Sequence, residues 1–516
     1  LPLCAQTTSS WIGAFDQQWT VATNWDTPFI PNNVGATTYD AFVGGGAGLV
    51  FVNANNTIES LTLQLGASLS VSDGFTFTVR DDSVNDGSIF LEGNNNASRF
   101  YINDSSGDLR VQLSGDGTIS LDHSLDRIGG TFNHTFVHTG PHTIRGHGNL
   151  GEGSVFIENS GAVIADSPGN TLVVQPRSTF ANTGQLWAHG GEVALPSGIY
   201  TNTGPGELSI GDNSEIRLNT ATVRNGMVKA LQQNGIAEDN RLVVSGNSTL
   251  TDMTVQTATY VNDGRILTLD GTGFTNDGPI RLESGVNASQ LSFNGTVNTT
   301  MTLGGTGTVL LDHALDQITG TFNHTLIHEP PHSIVGGGSL GAGSISIVNR
   351  STVTATSAAI PLVVTPRATW VNDGGTLWAD AGATARLNAG TYSCTNSGRF
   401  LVGDGATFEL NGITVAGSPF DLDNGDGDPL NHLLRVTSNS TLDACTSDAV
   451  IRVDDGRVLT IKEDLFVHNA PMHLDGGTNL ASLSIQGGGD TRMELGGTGT
   501  LFLDHGNDQV SGTFNH

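Results

Sequence analysis

Histidine and aspartate side chains recur together in this sequence, and both can bind metal ions. Eleven of the 15 histidines lie in a segment that occurs three times, and each copy also carries two aspartates. Imidazole and carboxylate groups are ligands of zinc and other transition metals. The candidate metal ligands are His134 and His138 in the first copy and His324 and His328 in the second. The shared residues are His123, His134, His138, His142, His147, His313, His324, His328, His332, His505 and His516, with Asp122, Asp126, Asp312, Asp316, Asp504 and Asp508.

The spacing of the histidines supports a structural interpretation, which we favour. Residues four apart share one face of a helix, but the Gly-Pro pair at 140–141 follows His138 and excludes a regular helix. On a strand, His134 and His138 share a face with Phe132 and Phe136, which indicates packing. We therefore expect the histidines to fill hydrogen-bonding positions of the fold and to bind no metal.

A second cluster is purely acidic. The segment Asp421-Leu-Asp-Asn-Gly-Asp-Gly-Asp428 offers hard oxygen ligands in a glycine-rich turn, which is the chemistry that calcium prefers. An EF-hand loop does not fit, because Leu422 and Leu433 would occupy positions one and twelve, where oxygen ligands are required. A solvated turn is the favoured interpretation, so no cofactor is expected, and calcium is the alternative. The candidate calcium ligands are Asp421, Asp423, Asp426 and Asp428.

These residues belong to a long internal repeat. The stretch Leu113-Ser-Gly-Asp-Gly-Thr-Ile-Ser-Leu-Asp-His123, followed by Gly-Thr-Phe-Asn-His134, returns up to His324 and again up to His516. The intervals between the last histidines are 190 and 192 residues. They divide the chain into a first unit at 51–245, a second at 246–437 and a third at 438–516 that the sequence leaves incomplete. Repetition predicts a stacked or modular array and weighs against a single catalytic pocket, which is needed once.

Composition restricts the fold and the partners. The chain has 69 glycines among 516 residues, is rich in Asn, Thr, Ser and Val, and is poor in helix formers, which indicates an all-β fold. A formal net charge of −29 repels nucleic acid and anionic lipid head groups, so no nucleic-acid partner is expected. No apolar run approaches the roughly 20 residues of a membrane helix, and we expect no membrane insertion.

A shorter rhythm inside each unit predicts the architecture. Asn-x-Gly marks, such as those at 159–161, 182–184 and 202–204, fall 20 to 24 residues apart. This spacing is typical of one coil of a right-handed parallel β-helix, a solenoid of short strands and tight turns. Stacking residues 51–516 would give a rod on the order of 100 Å long. A tandem β-sandwich array is the alternative fold. The expected interior residues are Ile119, Leu121, Val309, Leu311, Leu501 and Leu503.

The amino-terminal region reads as two short segments. Residues 1–5 resemble the end of a secretory signal, with cleavage after Ala5. Residues 6–50 contain Trp11, Trp19 and Trp25 and are expected to form a cap over the open end of the first coil. Farther along the chain, Cys394 and Cys445 are about two coils apart, beyond disulfide reach, so we expect free thiols.

The repeat resembles those of large secreted bacterial surface proteins. The similarity lies in His142-Thr-Ile-Arg-Gly-His-Gly-Asn-Leu-Gly-Glu-Gly153, in Phe180-Ala-Asn-Thr-Gly-Gln-Leu-Trp-Ala188 and in the matching stretches from His332 to Ala379. Such repeats are found in autotransporters, filamentous adhesins and secreted β-helix repeat proteins of the planctomycete type. The resemblance implies a right-handed β-helix outside the cell and no particular ligand. It also implies that positions such as His138 and His142 often hold Asn of a turn ladder.

The expected function is that of a non-catalytic, extracellular bacterial surface rod, either a structural stalk or an adhesin passenger region. Polysaccharide or a host or matrix surface is the expected partner of an adhesin. The alternative is a carbohydrate-active β-helix enzyme, a polysaccharide lyase or glycosidase, since such enzymes use clustered carboxylates on the same scaffold. A catalytic groove would require charged residues that are confined to one copy. Apart from the turn at 421–428, the sequence alone shows no such cluster.

Overall fold

A computed structural model of the protein describes residues 5–35, 37–104, 109–295, 300–462, 465–486 and 494–512. Cys4 and His516 lie outside these residues. The described chain forms 63 strands and two 3-10 helices, Ala22–Asn24 and Ala237–Asp239. None of its helices is long and apolar enough to cross a membrane. It divides into two compact units after Ala258.

The first unit contains strands β1 to β30. In chain order they are Ala5–Ser10, Thr37–Val43, Leu49–Val52, Asn56–Ile58, Ser60–Leu63, Ser68–Val71, Thr76–Val79, Ser83–Asn85, Ser88–Leu91, Arg99–Ile102, Arg110–Ser114, Thr118–Leu121, Arg127–Gly130, Thr135–His138, Thr143–Gly146, Gly148–Leu150, Phe156–Asn159, Ala162–Ala165, Thr171–Val174, Thr179–Asn182, Gln185–Ala188, Glu192–Leu195, Gly198–Asn202, Glu207–Gly211, Ser214–Leu218, Ala221–Arg224, Met227–Leu231, Asn240–Val244, Ser248–Thr251 and Thr254–Val255.

Strands β31 to β63 follow. In chain order they are Ala258–Val261, Ile266–Asp270, Gly273–Asn276, Pro279–Leu282, Gln290–Asn294, Thr300–Gly304, Thr308–Leu311, Gln317–Gly320, His324–His328, Ser333–Gly336, Gly338–Leu340, Ile345–Asn349, Thr352–Ala355, Leu362–Val364, Thr369–Asp373, Thr376–Ala379, Thr384–Asn388, Thr391–Thr395, Arg399–Gly403, Thr407–Asn411, Thr414–Ala416, Pro419–Asp423, Leu433–Ser438, Ser440–Asp443, Thr446–Ser447, Val450–Val453, Val458–Lys462, Leu465–His468, Met472–Leu474, Ser482–Gln486, Glu494–Gly496, Leu501–Leu503 and Gln509–Gly512.

The strands form a parallel β-solenoid with three sheets. From β2 onwards within each unit, a strand pairs in parallel with the third strand after it, so that three strands complete one coil. Ile119 on β12, for example, pairs with Ile89 in the coil before and Ile144 in the coil after. These partners lie 30 and 25 residues away, because loops of different length join equivalent strands. The parallel β-helix predicted from the coil rhythm is confirmed, and the sandwich array is excluded.

Alternation along each strand builds the interior. One side chain in two points inward and stacks on its partner in the next coil, which removes a continuous apolar ladder from water. Ile119, Leu121 and Val309 are fully buried and Leu311 is 1% exposed, as predicted. Intervening side chains such as Ser120 and Leu310 are half-exposed.

The same prediction is wrong at the last described coil. Leu501 is half-buried and Leu503 is 55% exposed. Both lie on β62, which pairs with β59 on one side. No later strand among the described residues covers the other side, so the inward face of this coil meets solvent.

An aromatic cluster in the amino-terminal region packs against the solenoid of the first unit. Trp19 is fully buried, and Trp25 and Trp11 are nearly so. The Trp19 ring meets Trp25 edge-on at 4.6 Å and Phe77 of the solenoid at 5.1 Å. The indole N–H of Trp19 donates to the carbonyl of Pro31 at 3.1 Å. The three tryptophans are therefore packing residues, and a cap over the first coil stays a prediction.

The two described cysteines are free thiols, as predicted. Cys394 lies on β48 and Cys445 follows β54. Strand β48 pairs with β51, which in turn pairs with β54, so two coils separate the thiols. Burial raises the pKa of Cys445 to about 11, which keeps it protonated at neutral pH.

Candidate functional site

Two of the repeated histidines of the first unit, His138 and His142, join a buried hydrogen-bonded chain of side chains, which we call the ladder. His138 ends β14 and points inward with Phe136, and the two rings stack at 6.2 Å. Its Nδ1 lies 2.6 Å from Oδ1 of Asn159, and its Nε2 lies 2.9 Å from Nδ1 of His142. Nε2 of His142 lies 2.9 Å from Nδ2 of Asn85. Both histidines are almost completely buried.

The ladder continues through the turn asparagines. Nδ2 of Asn159 donates to Oδ1 of Asn182 at 2.8 Å, and Nδ2 of Asn182 donates to Oδ1 of Asn202 at 2.9 Å. Since Asn159 Oδ1 can only accept, His138 must donate from Nδ1 and accept at Nε2. His142 must then donate from Nδ1 and accept at Nε2. All donors therefore point the same way along the stack.

This arrangement requires neutral imidazoles. Burial lowers the pKa of His138 to about 4 and that of His142 to about 3, and in His142 the proximity of His138 adds to the effect. A second proton would sit on Nε2 of either ring, where the network demands an acceptor. The ladder histidines are thus uncharged at neutral pH.

The second unit repeats this ladder. His328 Nδ1 lies 2.8 Å from Asn349 Oδ1, and His328 Nε2 lies 3.0 Å from His332 Nδ1. His332 Nε2 lies 3.2 Å from Asn276 Nδ2, and Asn349 donates to Asn372 at 2.9 Å. The agreement between units indicates that these residues serve the scaffold.

The four metal candidates are not brought together as ligands. His134 is buried beside its own turn, with Nδ1 2.9 Å from the carbonyl oxygen of Thr131, and His324 is buried on β39. Both ring nitrogens of His138 and His328 face ladder partners. In the described ranges, no three His, Cys, Asp or Glu side chains form a group that could hold a metal ion. Phe132, expected beside the histidines, is instead 61% exposed and packs under the Arg177 guanidinium at 4.0 Å.

The second aspartate of each repeated segment clamps a loop. Asp126 is fully buried, and its carboxylate accepts backbone N–H groups of Gly93, Asp122 and His123, each at 2.8 Å. Burial raises the pKa of Asp126 to about 6 in spite of these donors. Asp316 accepts the matching N–H groups of Asp312 and His313 at 2.9 Å.

The acidic turn is held by local hydrogen bonds. Asp426 accepts the N–H of Asp428 at 2.8 Å and Nδ2 of Asn431 at 2.6 Å. Asp428 accepts the N–H of Leu430 at 2.9 Å. The other two calcium candidates, Asp421 and Asp423, lie on β52, where Asp423 is exposed and burial raises the pKa of Asp421. Among the described residues, these carboxylates do not form a group of three or more that could hold a metal ion.

A further set of aspartates was missed by the sequence analysis. Asp73, Asp263 and Asp455, spaced by 190 and 192 residues, each bind the backbone of a loop one coil later. Asp73 Oδ1 accepts the N–H groups of Asn94 and Asn96 at 3.0 and 2.8 Å. The equivalent bonds of Asp263 and Asp455 are all 2.8 Å. The repeat interval was the available signal, but it does not reveal the partners.

The first unit also has an open polar groove of about 430 Å³. Ser88 on β9 pairs with Thr118 on β12, and Ser120 on β12 pairs with Arg145 on β15. Their outward side chains line the groove, together with two carboxylates that follow strands β12 and β18. The guanidinium of Arg145 is ion-paired to one of these carboxylates, and 55% of the Arg145 side chain is exposed. The groove residues are Ser88, Thr118, Ser120, Asp122, Arg145 and Asp166.

Ser167 and Gly146 complete the groove. Oγ of Ser167 lies 3.2 Å from Nδ1 of His147, and burial lowers the pKa of His147. Gly146, with φ of +108°, forms part of the wall. A Cβ at this position would lie 2.0 Å from the carbonyl oxygen of Leu121, so only glycine fits.

The equivalent groove of the second unit is smaller and differs in chemistry. Its volume is about 230 Å³, and Leu310, Val335 and Thr356 take the places of Ser120, Arg145 and Asp166. An aspartate lines both grooves at this position, Asp122 in the first unit and Asp312 in the second. The second groove is also lined by Arg281, but it has no charged residue at the positions of Arg145 and Asp166. No sequence motif marks the charged residues of the first groove, because they come from three successive coils.

Tryptophan is found at equivalent outward positions of the two repeats. Trp187 on β21 pairs with Ile164, which in turn pairs with Arg145 of the groove. Trp378 on β46 occupies the matching place, and both indoles are half-buried. Neither indole N–H has a hydrogen-bond partner within the part of the chain that the structure describes.

Comparisons of the chain with protein-family models, with curated proteins and with solved structures return no match.

Proposed function

We propose that this protein is an extracellular bacterial surface protein, a solenoid stalk or adhesin passenger region that acts without catalysis. Its function is to project from or adhere to a surface, and polysaccharide or a host or matrix surface is the partner of an adhesin. The observation that carries this proposal is the difference between the inward and the outward residues of the coils. The ladder histidines, the ladder asparagines and Asp126 are buried in the scaffold, whereas the outward residues Arg145 and Asp166 are replaced in the second unit.

The outward rows support adhesion over a passive stalk. Trp187 and Trp378 each present part of a wide indole ring on the outer face, and such aromatic rings are enriched at interfaces. Each unit supplies one such position, and weak contacts of this kind gain avidity when the protein is presented in many copies. The resemblance to secreted bacterial repeat proteins points to the same role.

An array of polysaccharides and of host and matrix proteins, probed with the multivalent protein, tests the proposal. We expect binding to at least one surface class, and a loss of about tenfold or more in avidity for the double variant Trp187→Ala/Trp378→Ala. Phe15→Ala, which removes an exposed aromatic ring from the cap, is the matched control. Absence of binding throughout the array would reject the adhesin and leave the stalk.

The groove of the first unit favours a second candidate, a polysaccharide lyase or glycosidase. Asp122, Arg145 and Asp166 are charged and lie in one groove, and the second unit carries Val335 and Thr356 in place of the last two. Paired carboxylates perform acid–base chemistry in glycosidases. Against catalysis, Arg145 neutralises one of the two carboxylates directly.

Product analysis separates the two candidates. Under the non-catalytic proposal, incubation with neutral and acidic polysaccharides leaves chain length unchanged and forms no new reducing ends or unsaturated sugars. Cleavage that disappears in Asp122→Asn and persists in Asp312→Asn would instead identify the groove as an active site.

A further inference from the structure

We propose that the groove formed by Ser88, Thr118, Ser120, Asp122, Arg145 and Asp166 is a binding subsite for a neutral polysaccharide, specific to the first unit. This inference rests on the proposed adhesin function and names its ligand class. It adds a site and a chemical selectivity that the repeat pattern does not contain.

The lining determines the ligand class. Three hydroxyl groups, from Ser88, Thr118 and Ser120, both donate and accept hydrogen bonds. The carboxylates of Asp122 and Asp166 accept hydrogen bonds from hydroxyl donors, and such charge-assisted bonds are about twice as strong as neutral ones. A surface of hydroxyls and carboxylates fits a polyol, in which every hydroxyl is a donor and an acceptor.

The charge of the groove selects against acidic polymers. Two carboxylates and one guanidinium leave a formal charge of −1, and Arg145 is already paired with Asp166. The whole chain carries −29, which repels polyanions at long range. A uronate-rich polymer would meet repulsion from Asp122 without a free cation, whereas a neutral polymer would not.

A bare cation is a poorer occupant. The guanidinium of Arg145 already places a positive charge beside the carboxylate of Asp166. In addition, no set of three metal-ligating acidic, histidine or cysteine side chains is present in the described ranges. The volume of about 430 Å³ lies within the roughly 300–1,000 Å³ of small-molecule sites.

The outward row extends the subsite. Trp187 lies two strands beyond Arg145 in the same sheet, which places it about 10 Å away at the usual strand spacing. A polymer that crosses the coils would contact the groove and the indole together. An isolated monosaccharide would reach only one of them.

The chain supplies its own test variant. Ser120→Leu/Arg145→Val/Asp166→Thr introduces the residues that the second unit carries at the same coil positions, so the substitutions suit the fold. Asp312→Asn, in the equivalent groove of the second unit, is the matched control. Laminarin and galactomannan serve as neutral probes, polygalacturonate and alginate as acidic probes, and Ca²⁺ alone as the cation probe. Binding is measured by affinity electrophoresis and calorimetry, and circular dichroism verifies the fold of each variant.

We expect the full chain to bind at least one neutral polymer, the triple variant to bind it about tenfold or more weakly, and the control to bind as the parent does. Equal binding by the triple variant would overturn the subsite and leave adhesion intact. Preference for acidic polymers or for Ca²⁺ would overturn the charge selectivity. Failure to bind either neutral polymer would overturn the inference, while binding of another surface in the array would preserve the adhesin proposal.

Discussion

His138 and His142 face each other edge-on inside the solenoid, with Nε2 of the first 2.9 Å from Nδ1 of the second. Each ring is an acceptor on one side and a donor on the other, so each can be replaced only by a group with the same two functions. His328 and His332 repeat the contact at 3.0 Å. This pair turns two titratable groups into neutral parts of the scaffold.

Removal of one ladder ring is expected to destabilise the fold. His138→Ala leaves Asn159 Oδ1 and His142 Nδ1 buried without their partner, and we expect a loss of about 2–4 kcal/mol in unfolding free energy. Chemical denaturation measures the change. The exposed His505→Ala should shift stability by less than about 0.5 kcal/mol. Equal effects of the two variants would contradict the ladder.

The ladder also predicts a dependence of stability on pH. The pKa values of His138 and His142 in the folded state, about 4 and about 3, lie below the value of about 6.5 for free histidine. The unfolded state therefore binds more protons. Stability is complete above about pH 6.5 and falls as the pH drops toward 4, by about 1.4 kcal/mol per pH unit for each histidine.

Denaturation at several pH values between 7 and 4.5 measures this slope. His138→Asn/His142→Asn removes both titrating groups, so the slope of the variant should be lower than that of the parent by the amount given above. The aspartates titrate in both proteins and cancel in the difference. Parallel slopes would show that the histidines are accessible to protons in the folded state.

The buried loop clamp at Asp126 should depend on its charge state. Asp126→Asn places an amide N–H₂ among three backbone donors, which we expect to lower stability by about 1–3 kcal/mol. Asp122→Asn, which changes an exposed neighbour, should leave the unfolding free energy nearly unchanged when both variants are compared by chemical denaturation. A stable Asp126→Asn protein would indicate that the carboxyl is already protonated.

The exposed clamps act on local order. Asp73→Ala removes the acceptor of the Asn94 and Asn96 N–H groups, so peptides spanning 93–98 should exchange hydrogen faster than in the parent. Asp263→Ala should do the same around Gly285 and leave 93–98 unchanged. Mass spectrometry of exchanged peptides gives both readouts, and unchanged exchange in both variants would refute the clamps.

The cap should protect the end of the first coil. Trp19→Ala opens a cavity against Trp25 and Phe77, and we expect about 3–5 kcal/mol of destabilisation and increased light scattering. Phe15, 76% exposed, provides the control substitution to Ala. A monodisperse Trp19→Ala protein with the melting temperature of the parent would show that the cap is dispensable.

The coil rhythm and the alternation of apolar residues predicted the fold because both are local properties of the strand. Burial of Ile119 and Val309 followed from them, whereas exposure of Leu503 depends on whether another coil covers it. The ladder contact between Asn85 and His142 joins residues 57 positions apart, so only the stacking of unequal coils brings them together.

The groove could not be predicted from the sequence, because the stacking of unequal coils also brings its residues together. Ser120, Arg145 and Asp166 occur in different coils, and no motif connects them. The residue types can be read from the sequence. Their proximity cannot, because it depends on the register in which three strands pair. For Phe132 the prediction from the sequence was wrong. Its spacing of two residues from His134 suggested that both side chains lie on one face of a strand. Phe132 instead precedes the strand and packs against Arg177.

The ladder has a direction, and this restricts how such a chain can grow. Every donor in the run from Asn85 through His142 and His138 to Asn159 points the same way, so an inserted coil must bring one inward residue that accepts from one neighbour and donates to the other. Copying a whole unit satisfies this condition automatically. Inserting a single arbitrary coil does not, which gives a physical reason for enlargement in blocks of about 190 residues.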